Sequence, residues 1–275
     1  MIRAALLSLL LAACTAAGEA DDGSASSAQP QSGARTLDLP GELREVSGLA
    51  VASPTSVFAH NDERPRISEI ELATGRVLRS FAFGSIARDD FEGVAVVDGR
   101  IFVITSYGIL SSFAPAADGA EVQAEVQDTG AGARCEVEGL SASPRPGELL
   151  ILCKNIRGRG NRGRLLVLRW TIAANRLEDS PWLDSGATDA LSDARTALAP
   201  SSIDWDPRSR RIAILAARQH LLLLLDENGR EVERRALDEG RHPQAEGVAI
   251  MPSGEVVVAD EGGRERPGRL TVYSR

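Results

Sequence analysis

The chain has 275 residues and a formal net charge of −8, with 43% hydrophobic residues and only 4% aromatic ones. That length admits one large all-β domain or two small ones, and the Leu, Val, Ile and Ala content suffices for a core without disulfides or metals. The acidic balance gives no sign of the basic face or stripe that nucleic-acid binding needs, the one local exception being the arginine-rich segment 154–169. Taken in chain order, the first segment reads as an export signal: Arg3 gives a positive start, residues 4–13 are apolar, and Cys14 follows directly. Such a run falls short of the roughly 20 residues of a membrane-spanning helix and has the signal-peptide pattern of charged start, apolar core and small-residue exit.

Leu11-Ala12-Ala13-Cys14 resembles the bacterial lipobox. The resemblance implies removal of residues 1–13 and lipidation of Cys14, so that a membrane becomes a partner through the anchor. Ordinary secretion, with Cys14 incidental, is the alternative. Thr15 follows the cysteine where lipoproteins kept at the inner membrane carry Asp, which implies, in a Gram-negative host, a cell-envelope location at the outer membrane facing the periplasm. Residues 14–34, rich in Ala, Gly, Ser, Asp and Gln, read as a flexible linker. The folded domain is expected over 35–275.

That domain carries an internal repeat. SGLAVASP (47–54), EGVAVVDG (92–99), EGLSASPR (138–145), SSIDWDPR (201–208) and EGVAIMPS (246–253) each read as an opening strand. Four place glycine second; the fourth copy has Ser202 there. Each is followed by a tight turn and an almost continuously apolar second strand, such as RIFVITS (100–106) or ELLILCK (148–154), a pattern that predicts burial on both faces. Third strands follow in every copy, and fourth strands (77–84, 121–128, 176–183 and 230–237) in all but the last, where the chain stops. TLDLPG (36–41) is the unpaired candidate that completes the final copy. The arrangement predicts an all-β propeller of five four-stranded blades, closed by the N-terminal strand in the C-terminal blade. The longer spacing after Glu138 leaves a sixth blade as an alternative, with the extra length expected in loops at 155–164 and 184–199, the second containing one helical turn near TDALSDARTAL.

SGLA, DFEGVAVV and EGLSASP, with HNDE at 60–63, resemble the SdiA-regulated family of bacterial β-propellers, and more distantly phytase-like and strictosidine-synthase-like propellers. The resemblance implies a periplasmic or surface propeller near a membrane, without a catalytic set to carry over. Relatives with phosphatase or lactonase activity use acidic residues around the channel, often with calcium.

Antiparallel inner hairpins bring each opening-strand start and each second-strand end to one channel mouth. The starts are Ser47, Glu92, Glu138, Ser201 and Glu246; the ends are Asn61 or Asp62, Ser106, Lys154, Arg218 and Asp260. Glu92, Glu138 and Glu246 need a cation, raised pKa values or paired side chains. Three readings are open: ion pairing to Lys154 and Arg218, a Ca²⁺ ion bound by the three glutamates, or a small polar ligand. Glu45 and Asp90 flank the ring. His60 is a candidate general base, yet no nucleophile motif accompanies it, and His220 and His242 are not in metal-ligand spacing. Trp170, Trp182 and Trp205 read as blade packing. Cys135 and Cys153 flank the third opening hairpin, where a disulfide and two separate buried thiols are both compatible with the spacing. Two functions follow. The first is a binding or structural module for a protein, peptide or envelope glycan, with the Gly-Arg loop 157–164 as an interface. The second is a calcium-dependent hydrolase acting on phosphoesters or lactones.

Overall fold

The structure, a computed structural model, describes residues 33–84, 88–161, 163–185 and 198–274. The signal peptide, Cys14, most of the linker and the expected helical turn lie outside these residues. Five mainly antiparallel sheets, each built on one copy of the repeat, stand in a ring. Their innermost strands are Val46–Ser53, Phe91–Val97, Cys135–Ala142, Ser202–Asp206 and Ala245–Ile250, for blades 1 to 5. Each packs against the inner strands of both neighbouring blades, and blade 5 meets blade 1, so the ring closes. There is no sixth blade among the described residues.

Closure uses the N-terminal strand. Ala34–Asp38 pairs antiparallel with Arg269–Tyr273, in the register Leu37↔Leu270 and Thr36↔Thr271. The fourth strand of blade 5 thus comes from the opposite end of the domain, covering an edge that would otherwise be open.

The apolar second strands explain the core. Along Glu148–Ile156, Leu149, Ile151 and Cys153 face blade 2, packing with Phe102 and Ile104, whereas Leu150 and Leu152 face blade 4 and meet Ile212 and Ile214. The same two-sided alternation recurs in Ser56–Asn61, Arg100–Thr105, Arg211–Ala216 and Val256–Asp260. Period-2 side chains with both faces covered require an apolar residue at every position. Five separate interblade cores result, and each fully buried aliphatic or aromatic side chain contributes about 1.5–3 kcal/mol. Trp170 sits in the core between blades 2 and 3, and Trp182 and Trp205 lean on the one between blades 3 and 4.

Two outer strands differ from expectation. The 121–128 segment divides: Glu121–Val122 pairs parallel with Val77–Phe83 of blade 1, and only Glu125–Asp128 joins blade 2. The 176–183 segment becomes two short pieces, Arg176–Leu177 and Leu183–Asp184. Pro181 lies between those pieces and has no N–H for the ladder.

Candidate functional site: an acidic channel mouth

The opening residues of the repeat are β-bulges. In blade 2, Phe91 pairs with Thr105 and Gly93 with the adjacent Ile104, so Glu92 is the extra residue. Glu138 is skipped in the same way between Val137↔Cys153 and Gly139↔Leu152. Ser47 and Glu246 occupy the matching bulges of blades 1 and 5. A bulge turns its extra side chain out of the ladder and re-aims it, and here the re-aimed residues are three glutamates and a serine.

After the bulges of blades 2, 3 and 5 the following glycine allows close approach to the next blade, whereas Gly48 makes room for His60 of its own blade. A Cβ on Gly93 would lie 2.4 Å from the Leu140 nitrogen and 2.8 Å from the Gly139 carbonyl carbon. Blade 4 solves the same contact differently. Ser202 Oγ accepts the Val248 N–H at 3.1 Å, and Asp204 accepts the Ile250 N–H at 2.7 Å. Burial pushes the Asp204 carboxyl up to about 7. Asp204 escaped the sequence reading; its signal was an acidic residue in the middle of an inner strand, where the other copies carry Ala or Ser.

At the mouth, Ser47 Oγ donates to Glu92 Oε2 at 3.3 Å. Lys154 Nζ, one residue past Cys153 on the second strand of blade 3, donates to Glu138 Oε1 in an ion pair. Glu138 is only 2% exposed, and its Oε2 has no hydrogen-bond partner among the described residues. The three glutamates act on one another. Burial, then Glu138 and Asp90, push the Glu92 carboxyl up to about 9, against an opposing pull from Lys154. Burial holds Glu138 near 7 despite Lys154, and burial followed by the Glu138 charge does the same to Glu246. Burial works against the Lys154 charge, but Glu138, Glu246 and Glu92 outweigh it and raise this ammonium above the usual lysine range. Asp62, at the rim, is pushed up to about 6 by burial and by Glu45 and Glu261.

The other expected mouth residues are engaged elsewhere. Asn61 Oδ1 caps the following turn, accepting the N–H groups of Glu63 at 2.9 Å and Arg64 at 3.2 Å. Asp260 is drawn into blade 5, where its Oδ2 meets His242 Nδ1 at 2.7 Å and His242 Nε2 bonds the Tyr273 hydroxyl. Arg218 is exposed in the turn Ala217–Gln219 and is not among the charges acting on the three glutamates. The neutralising cation is therefore Lys154. His60 is fully buried, with Nδ1 against Asn61 O at 3.2 Å, and burial pushes it down to about 4. Its Nε2 fills the space where a Cβ on Gly48 would stand, 2.4 Å away, which makes it a packed neutral residue rather than a base facing solvent. Ser106 links blades through its backbone, donating to Asp90 O and accepting from Val137 N. In the Gly-Arg loop, Arg164 is tied to Asp184 and Asn161, and Arg157 to Gly132 O.

Cys135 and Cys153 are joined in a disulfide with Cα atoms 5.6 Å apart. The bond brackets the bulge at Glu138 and ends next to Lys154. Among the described residues, no group of three or more His, Cys, Asp or Glu side chains is arranged to hold a metal ion.

The fold is a five-bladed β-propeller whose repeat puts glutamates at the opening bulges of three blades. Neither a family model nor a curated protein matches the chain. Among solved structures, glutaminyl cyclase from Myxococcus xanthus is similar at a TM-score of 0.59 and 15% identity, over 86% of this chain and 93% of that one. A luciferin-regenerating enzyme is similar at a TM-score of 0.53 and 8% identity, over 87% of this chain and 95% of that one. Likeness at these identities is likeness of fold, and it places the chain among distant β-propellers.

Proposed function

We propose that this chain is a lipid-anchored propeller of the bacterial envelope, of the kind the SdiA-regulated resemblance implies, and that it binds a small polar ligand at its acidic mouth. The observation that carries the reading is the convergence of Glu92, Glu138 and Glu246, from three different blades, around the single ammonium of Lys154. Holding three carboxyls together under partial burial opposes folding, and such arrangements concentrate at functional sites. In this reading Cys14 anchors the domain to the outer membrane facing the periplasm, and the outer loops, including 157–164, would offer the interface for an envelope protein or glycan.

The calcium-dependent hydrolase is the second reading, supported by the same carboxylates. Calcium takes six to eight oxygen ligands. Here Lys154 holds one oxygen of Glu138, and Ser47 bonds one of Glu92. That donor set does not fit a calcium cage.

Ligand-observed NMR with a library of polar fragments tests the binding reading. Fragments that bind the wild-type chain should be lost in a Glu92→Gln/Glu246→Gln double variant that keeps its fold by circular dichroism. Fragments bound equally by both proteins would move the site away from the mouth. For the anchor, Cys14→Ser should release the protein from the membrane fraction of an expressing Gram-negative cell; continued sedimentation with membranes would refute lipidation at Cys14.

A further inference from the structure

A second concave site lies between blades 3 and 4, at the far end of their inner hairpins from the glutamates. Ala142 and Leu149 pair at the foot of one hairpin, and Asp206 and Arg211 at the foot of the other. Beside the two turns is a cleft of about 600 Å³, whose walls include Pro144, Arg145, Arg169, Trp182, Arg210 and Glu227. A volume of this order holds a small molecule. Glu138 opens the blade 3 hairpin at its other end, so the cleft stands independently of the mouth.

The walls are tied together by their own bonds. Arg169 donates from Nε and Nη2 to Ser180 O, both at 3.2 Å, and from Nη1 to Glu148 Oε1 at 3.3 Å. These bonds hold the segment that Pro181 keeps out of the ladder. Across the cleft, the Trp182 indole N–H donates to Glu227 O at 3.2 Å, and Arg210 pairs with the Glu227 carboxylate. Trp182 of blade 3 is thus fixed to blade 4, half-buried on the core between them. Arg145 is different. It is exposed, and its side chain makes no hydrogen bond or ion pair among the described residues. Glu148 answers Arg169 and Glu227 answers Arg210, so the uncompensated cation of the cleft is Arg145. Pro144 and Pro146 flank it and restrict the backbone that presents it.

We propose that this cleft binds an organic oxyanion, a carboxylate or phosphate carried on a ring-shaped carbon body, with the anionic group at Arg145 and the body against Trp182. A guanidinium presents a planar fork of N–H donors that matches two oxygens of a carboxylate or phosphate. An indole adds a large, rigid apolar surface, on which a ring packs better than a flexible chain. An inorganic anion would use Arg145 alone and a neutral ring Trp182 alone; the cleft offers both at once.

The test titrates the full chain, at constant ionic strength, with glucuronate, glucose 6-phosphate, glucose and inorganic phosphate in separate experiments. The signals followed are the indole N–H of Trp182 and the backbone amide of Arg145. Glucuronate or glucose 6-phosphate should saturate and shift both signals, the two arms telling carboxylate from phosphate. Glucose and inorganic phosphate should each bind about tenfold more weakly or worse. Arg145→Gln should weaken the anionic sugar by about tenfold or more, the loss of one charge-assisted hydrogen bond. Because the Arg145 side chain is exposed and unbonded, the same variant should melt at the wild-type temperature. Equal affinity for glucose or for inorganic phosphate, unchanged affinity in Arg145→Gln, or no shift with any of the four ligands would overturn the assignment. Shifts at Glu92, Glu138 and Glu246 with none at Trp182 would move the anion to the mouth and overturn it as well.

Discussion

Replacing Glu92 by Gln should stabilise the protein, and increasingly so as the pH rises. The carboxyl ordinarily titrates at 4.5 and is pushed up to about 9 by burial and by Glu138, Asp90 and Glu246. The native state therefore binds more protons at this site than the unfolded chain does between those two values. Stability contributed by the protonated form is complete below pH 4.5 and is lost as pH rises through about 9. At about 1.4 kcal/mol per pH unit, the ceiling on that loss is roughly 6 kcal/mol. Glu138 and Glu246 share the repulsion and Glu92 stays partly in reach of water, so a single neutral replacement should return about 2–3 kcal/mol at pH 9 and almost nothing at pH 5. Glutamine keeps the shape and can still accept from Ser47 Oγ, which limits the change to charge. Urea unfolding of both proteins at pH 5, 7 and 9 measures the difference. A midpoint difference that does not change with pH, or a variant less stable at pH 9, would refute the argument.

Three further outcomes follow from packing and bonding. Gly93→Ala should cost about 3 kcal/mol, at the upper end of overpacking, because the methyl group would meet backbone atoms of Gly139 and Leu140 that cannot rotate away; a thermal melt within a degree of wild type would contradict this. Removing the disulfide with Cys135→Ser/Cys153→Ser should cost about 2–4 kcal/mol in denaturant unfolding, and an unchanged midpoint would mean that the bond adds nothing. Tyr273→Phe leaves His242 Nε2 unpaired in a fully buried site and should cost about 1–3 kcal/mol by the same assay; neutrality would show that water replaces the hydroxyl.

Ring closure was legible in the sequence because two local signals agreed: a repeat one strand short at its C-terminal end, and a spare strand at 36–41. Burial of the second strands on both faces was legible from their continuous apolar runs. The equivalent placement of Glu92, Glu138 and Glu246 at the openings of their hairpins was legible from the repeat. The bulges that aim them were not, since one inserted residue leaves the hydrophobic alternation of so short a strand nearly intact. Asp260 and Asn61 were misassigned for a related reason. Both stand at second-strand ends, as a mouth ligand should, but a histidine from the 237–244 connection captures the first, and the turn at 63–64 captures the second. Arg218 was placed by counting along the strand, yet the chain leaves that strand at Ala216 into a short 3-10 turn and carries the guanidinium out to solvent.

The proposed site rests on three glutamates from separate blades lying close to a single lysine. A ¹³C-carboxyl NMR titration of Glu92, Glu138 and Glu246 tests it most directly. All three should titrate well above the ordinary 4.5, with Glu92 last, near 9, and Lys154→Met should move Glu138 further up. Three independent titrations near 4.5, unaffected by Lys154→Met, would contradict it.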